Sequence, residues 1–259
     1  MAPGDQAQAE QSPTASLRDR IRLAASFLTI IPVLDQRPRS TEEVAASFGW
    51  FPLIGFAIGA MLCAEDYVLS AIAGGAARAI VVVITLVVLT GAVHLDGLGD
   101  AADAIGAGRD RERALTIMRD SRIGTFGAVA IFFVLIIKVS AIANLTEAQR
   151  YNALYLAPGL ARWAMVAVAQ RMSYLRAAGA GTTLLHEESS AALRTASAIA
   201  IAGLLVLHNM IAVRGALIAI MIVIALRTIY RRWLGGVTGD LIGAADEIVE
   251  TAIIVAIAS

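Results

Sequence analysis

Apolar runs of about twenty residues recur along this chain, and nothing else constrains its fold as much. A helix needs about 20 residues to cross about 30 Å of hydrocarbon. Seven stretches approach that length: Ala45 to Met61, Ala79 to Leu95, Thr125 to Ala143, Ala153 to Ala169, Ala191 to His208, Ile211 to Leu226 and Ala244 to Ala258. The fifth and sixth are separated only by Asn209 and Met210 and the last is short, so six is the alternative count. Composition agrees: 58% of the residues are apolar and 16% charged, whereas a soluble domain carries about 25% charged residues. The expected fold is all-α, a polytopic helical bundle in the membrane formed by a single domain over residues 17–259.

Ahead of the spans, residues 1–16 are small and polar and lack the basic-then-apolar pattern of a signal peptide. They read as a disordered tail. Leu17 to Ile31 starts charged, ends apolar and stops at Pro32, which suits a helix lying in the interface. Basic residues gather in cytoplasmic loops. With a cytoplasmic N-terminus, only Arg78, Arg150 and Arg214 fall outside, while Arg18 to Arg39, Arg109 to Arg122, Arg171 to Arg194 and Arg227 to Arg232 fall inside. Two basic residues remain within spans. Lys138 has a stem long enough to snorkel; Arg162 either faces a cavity or pairs with an acid.

Formal charge balances at 21 basic against 21 acidic groups, which removes the basic field that a nucleic-acid binder needs. One cysteine and three histidines cannot build a disulfide framework or a Cys/His zinc cluster. Any metal here takes oxygen ligands. Asp96, Asp100 and Asp103 are spaced i, i+4, i+7, one face of a helix. Three like charges on one stripe repel unless something positive sits there. Mg²⁺, commonly shared between carboxylates and substrate phosphates, meets that need.

Near the C-terminus, Asp240, Glu247 and Glu250 fall at i, i+7, i+10, again one face, with Asp246 pointing elsewhere. Both stripes sit on the inside of the topology, which predicts one metal site built from the two ends of the chain. Between them, RDSRIGTFG offers Arg119 and Arg122 as forked phosphate donors, hydroxyls on Ser121 and Thr125, and Gly124 and Gly127 for close backbone approach. Arg162 joins these as a candidate for substrate binding. His94, two residues before Asp96, either moves a proton or makes a structural hydrogen bond. His94, Asp96 and Asp100 are therefore the candidate catalytic residues, and the implied chemistry is transfer of a phosphate-linked group from a diphosphate to an alcohol.

At these residues the chain resembles the cobalamin synthases, or adenosylcobinamide-GDP ribazoletransferases. The likeness runs through FLTIIPV (Phe27 to Val33), FGWFPLIGFAIG, HLDGLGDAADA (His94 to Ala104), MRDSRIGTFGA (Met118 to Ala128) and TGDLIGAADEIVE (Thr238 to Glu250). Ala104 departs from the glycine that the family prefers there, which removes no ligand. The resemblance implies an enzyme of the bacterial inner membrane that joins adenosylcobinamide-GDP to α-ribazole or its 5′-phosphate, releases GMP and needs Mg²⁺. It places Mg²⁺ on Asp96, Asp100, Asp103, Asp240 and Glu247, with Glu250 as a ligand or just behind. Arg119 and Arg122 would hold the diphosphate, and other enzymes of the corrinoid pathway are possible partners.

Two other readings remain open at this point. A CDP-alcohol phosphotransferase also uses acidic helix faces and Mg²⁺, although no Ala-Arg follows Asp96-Gly97 at that family's spacing. A cation-coupled transporter would show inverted halves and mid-depth acids.

Overall fold

The structure, a computed structural model, describes residues 16–33, 39–176 and 189–259. The polar tail before Ser16 and three residues of the loop after Arg176, His186, Glu187 and Glu188, lie outside the described residues. Those described form eleven α-helices: α1 (Leu17–Leu28), α2 (Thr41–Phe48), α3 (Phe51–Leu69), α4 (Gly75–Leu89), α5 (Val93–Ile105), α6 (Arg111–Ile117), α7 (Thr125–Ala143), α8 (Glu147–Ala169), α9 (Ser189–Leu207), α10 (Met210–Trp233) and α11 (Gly239–Ala258). The fold is all-α, as the apolar periodicity predicts.

The seven runs coincide with α3, α4 and α7 to α11, with shifted boundaries. The first breaks at Gly49 and Trp50, so its span is Phe51–Leu69 and residues 45–48 belong to α2. The second breaks at Gly91 and Ala92, both with positive φ, 61° and 58°. This left-handed pair turns α5 by 87° from α4, so we count α5 outside the spanning segments. Among the described residues α3, α7, α9 and α10 are long and apolar enough to cross a membrane, or five spans if α4 and α5 count as one. The expected seven are thus not all met by length and apolarity. The reason is physical: α8 and α11 carry Glu147, Arg150, Arg162, Asp240, Asp246, Glu247 and Glu250, and they lie at the centre of the bundle where those charges find partners.

α8 is the hub. Gly55 and Gly59, one turn apart on α3, face the α8 backbone, where a Cβ on Gly59 would sit 2.7 Å from the carbonyl oxygens of Leu154 and Tyr155. Small residues at this spacing let two helices pack backbone to backbone. The opposite faces of the peripheral helices are apolar and exposed: Phe126, Phe132, Phe133 and Ile136 on α7, Ile80, Ile84 and Val88 on α4, Leu217, Ile220 and Ile224 on α10. These form the lipid-facing belt of a multi-pass membrane protein. At one end of the bundle Asp66 of α3 is fully buried between Arg78 of α4 and Arg150 of α8, and Arg78 also pairs with Glu147 at 2.8 Å. Two of the three arginines assigned to the outside are therefore taken up by internal acids.

Candidate functional site

The α5 and α11 helices cross at their glycines. A Cβ on Gly97 would lie 2.8 Å from the Asp240 carbonyl oxygen, and one on Gly243 would touch the His94 backbone at 3.4 Å. That crossing brings Asp96 and Asp100 beside Asp240 in an open cleft of about 510 Å³, lined also by Met118, Arg119, Asp120, Ser121 and Arg176. The two ends of the chain do meet at one site, but with three of the six acids expected there.

Asp100 is half-buried, and its carboxyl is pushed up to about 6, first by burial and then by the neighbouring Asp240 and Asp96 charges. The cleft therefore concentrates negative potential. Arg176 is the cation set against it, donating to Asp240 and, at 2.8 Å, to the Met118 carbonyl. It is held there by a backbone clip: Leu175 N donates to Val237 O at 2.9 Å and Val237 N to Ser173 O at 2.8 Å. Sequence reasoning counted Arg176 only as a membrane anchor, since no local motif marks it; its role arises from a contact 64 residues away.

The other acids go elsewhere, for reasons of helix geometry. Seven residues of helix rise about 10 Å and ten about 15 Å, so one stripe cannot converge on one ion. Asp103 lies two turns beyond Asp96, and its carboxylate accepts from Gly124 N at 2.7 Å and Gly127 N at 2.9 Å, capping α7. A Cβ on either glycine would fall on that carboxylate. The close approach these glycines permit is to Asp103.

Glu247 and Glu250 lie deep in the bundle. Lys138 donates to them at 2.7 Å and 2.5 Å, and Arg162 pairs with Glu250. Lys138 is 2% exposed, so it does not snorkel; it pairs. Asp246, read from spacing as pointing elsewhere, joins this network, 3.1 Å from His94 Nδ1 and 3.4 Å from Arg162. Three carboxylates meet two fixed cations, one positive charge short of neutral before His94 is counted.

Of the expected phosphate-binding residues, Arg119 and Ser121 line the cleft. Arg122 is 86% exposed and pairs with Asp120 at 2.6 Å, which holds the Asp120 carboxyl down at about 2. Thr125 opens onto the flank of α7 beside Phe132 and Phe133, and Arg162 belongs to the buried network.

Among the described residues, His94, Asp246 and Glu247 are the group whose ligand atoms lie within 4.8 Å of one another. Arg162 and Lys138 already occupy the carboxylates of that group. Asp96, Asp100 and Asp240 of the cleft form no such close group, and among the described residues Arg176 is the cation paired with one of them. Such a set suits a cation that takes one or two carboxylates and completes its shell with water and substrate phosphate, as Mg²⁺ does.

A second cavity, of about 350 Å³, opens from the same place. Phe27, Phe48, Phe51, Met165 and Val166 wall it, and Asp96, Arg176 and Asp240 stand at the boundary with the cleft. The three phenylalanines form one cluster, Phe48 edge-on to Phe51 at 4.8 Å and stacked on Phe27 at 5.8 Å. Sequence reasoning treated these positions as apolar family motif without a role.

The family model described as cobalamin-5-phosphate synthase matches residues 20–258. Curated relatives named adenosylcobinamide-GDP ribazoletransferase align with about nine-tenths of the chain. That of Desulforamulus reducens is 37% identical over 236 residues, covering 90% of this chain and 94% of its own. That of Syntrophobacter fumaroxidans is 38% identical over 238 residues, covering 91% and 96%, and that of Pseudomonas fluorescens is 36% identical over 241 residues, covering 91% and 97%. No solved structure matches the chain. With an acidic cleft on a membrane bundle and this likeness along nearly its whole length, the chain is an enzyme, a transferase of cobalamin biosynthesis, and belongs to the cobalamin-5-phosphate synthase family.

Proposed function

We propose that the protein joins adenosylcobinamide-GDP to α-ribazole, or to its 5′-phosphate, with release of GMP, at the cytoplasmic face of the bacterial inner membrane. The observation that carries this reading is the meeting of Asp96, Asp100 and Asp240 with Arg119, Ser121 and Arg176 in one open cleft. In the transfer a ribose hydroxyl oxygen forms a bond to the phosphorus next to the corrinoid, the bond from that phosphorus to the GMP oxygen breaks, and the hydroxyl proton leaves to a base.

Mg²⁺, held by Asp96, Asp100 and Asp240, would supply charge stabilisation for the diphosphate. Arg119 is exposed at the rim and free to take phosphate oxygens, with Ser121 beside it. Arg176 keeps Asp240 oriented and balances part of the acidic field. Asp96, the most exposed of the three acids, is the group placed to accept the hydroxyl proton. His94, two residues before Asp96, is locked to Asp246 and orients α5 against α11. Asp103, Glu247 and Glu250 hold the bundle that carries the site.

The cytoplasmic assignment rests on the arginine distribution. Arg78 and Arg150 are neutralised by Asp66 and Glu147, which leaves Arg214 as the outside arginine that, among the described residues, contacts no acidic side chain.

The test is GMP release by purified protein given adenosylcobinamide-GDP and α-ribazole, with and without Mg²⁺. GMP is expected only with both substrates and metal. Asp100→Asn is expected to lower turnover at least about 100-fold, the scale of losing a charge-stabilising group, while leaving membrane insertion intact. GMP release at an unchanged rate in the variant would overturn the assignment.

A further inference from the structure

The phenylalanine-walled cavity has no part in phosphate chemistry, yet it shares Asp96, Arg176 and Asp240 with the cleft where that chemistry is placed. A ligand spanning the two is apolar at one end and polar at the other, with its polar end at those three side chains. From this juxtaposition we infer that the cavity, walled by α1, α2, α3 and α8 and closed by α5 and α11, seats the planar base of the acceptor nucleoside, and that Phe27, Phe48 and Phe51 set which bases are accepted. The inference rests on the transfer proposed above and names the acceptor subsite within it.

Size and chemistry choose among the parts of the two substrates. At about 350 Å³ the cavity is at the small end for ligand pockets, enough for a bicyclic ring and too small for a corrin macrocycle. Guanine carries several donors and acceptors around its edge, and burying them unpaired against phenylalanine and methionine is costly. An apolar bicyclic base carries no such edge and gains from ring packing on the phenylalanine cluster. Its ribose then emerges beside Asp96 and Asp240, with a hydroxyl turned toward the diphosphate. Specificity follows from the same walls: the polar side chains of the lining are His94, Asp96, Tyr174, Arg176 and Asp240, and a base whose exocyclic amino or keto groups fall against Phe27, Phe48, Phe51, Met165 and Val166 instead finds no side-chain partner there.

The experiment separates binding from turnover. Full-length wild type and Phe51→Ala, Phe51→Leu and Val166→Trp variants are purified in detergent. Binding of α-ribazole without donor is measured by equilibrium dialysis, alongside steady-state rates with α-ribazole and with adenosine as acceptors. Phe51→Ala is expected to weaken acceptor binding and raise its KM about tenfold or more, the scale of losing one aromatic contact to a base, with the KM for the donor within twofold. Phe51→Leu is expected to recover part of the loss, and Val166→Trp, which fills the space, to abolish acceptor binding. Wild type is expected to favour α-ribazole over adenosine, with the margin narrowed in Phe51→Ala.

Acceptor binding unchanged in both Phe51→Ala and Val166→Trp overturns the inference, as does a rise in the donor KM instead. A lipid retained in the cavity through purification and not displaced by α-ribazole, seen by native mass spectrometry, overturns it in favour of an acyl chain. Failure of GMP release in wild type, with α-ribazole still bound in a Phe51-dependent way, would overturn the transfer and leave the subsite standing.

Discussion

Asp100 carries the most informative charge in the cleft. Its carboxyl is raised to about 6 because it is half-buried and faces Asp240 and Asp96. Raised from 3.8 in this way, it binds its proton more tightly than an unfolded chain does, so the repulsion it adds is present above about pH 6 and relieved as pH falls through that value. A divalent cation provides the same relief without a proton. Proton and cation therefore compete. The Mg²⁺ concentration needed for half-maximal rate is expected to rise steeply below about pH 6, and Asp100→Asn to flatten that dependence in its residual activity. A Mg²⁺ requirement independent of pH between 5 and 7.5 would count against Asp100 as a ligand. Arg176 acts on the same field, so Arg176→Gln should lower turnover through loss of the hold on Asp240, whereas Arg122→Gln, solvent-exposed and paired only with Asp120, should change it less than threefold.

Among the elements, α7 and α11 show why the two acidic stripes divide. Asp103 caps α7 through Gly124 and Gly127, so Asp103→Ala is expected to cost about 1–2 kcal/mol, the value of an N-terminal cap. Asp103→Asn, which keeps an oxygen acceptor, should cost less and retain most turnover, in contrast to Asp100→Asn. Gly127→Ala meets both the Asp103 carboxylate and, at 2.8 Å, the Gly99 carbonyl, and overpacking of that kind costs about 1–3 kcal/mol. Between α7 and α11, Lys138→Met leaves Glu247 and Glu250 facing each other with one cation fewer. Breaking a buried pair from one side costs about 3–5 kcal/mol, which thermal unfolding in detergent should register as a large loss. These roles explain what the sequence made legible. Helix existence followed from the apolar runs, the shared face of Asp96 and Asp100 from their i, i+4 spacing, and the meeting with Asp240 from the arginine distribution that set both stripes on one side of the membrane. The destinations of Asp103, Glu247 and Glu250 did not, because spacing gives the face of a helix and says nothing of how far along its axis the partner helix stands. Arg176 and the phenylalanine cavity depend wholly on contacts distant in sequence, which no local pattern encodes.

At the scale of the whole molecule, the acidic cleft and the buried clasp of Asp66, Arg78, Glu147 and Arg150 lie at opposite ends of the bundle. The chain has a single cysteine, Cys63, so the orientation can be read by labelling. In a Cys63→Ser background, Ser121→Cys is expected to react with a membrane-impermeant maleimide only in inside-out vesicles, and Arg214→Cys only in right-side-out ones. The reverse pattern would turn the protein over and place the cleft outside. The clasp also bears on how the protein is made. Asp66 and Arg78 are 12 residues apart and pair across the first helical hairpin, so their opposite charges can cancel as soon as α3 and α4 have left the ribosome. Arg150 reaches Asp66 only 84 residues later, when α8 is in place. Biogenesis therefore passes through a stage in which an early hairpin is already close to neutral at its far end, and a late helix brings the cation that locks it.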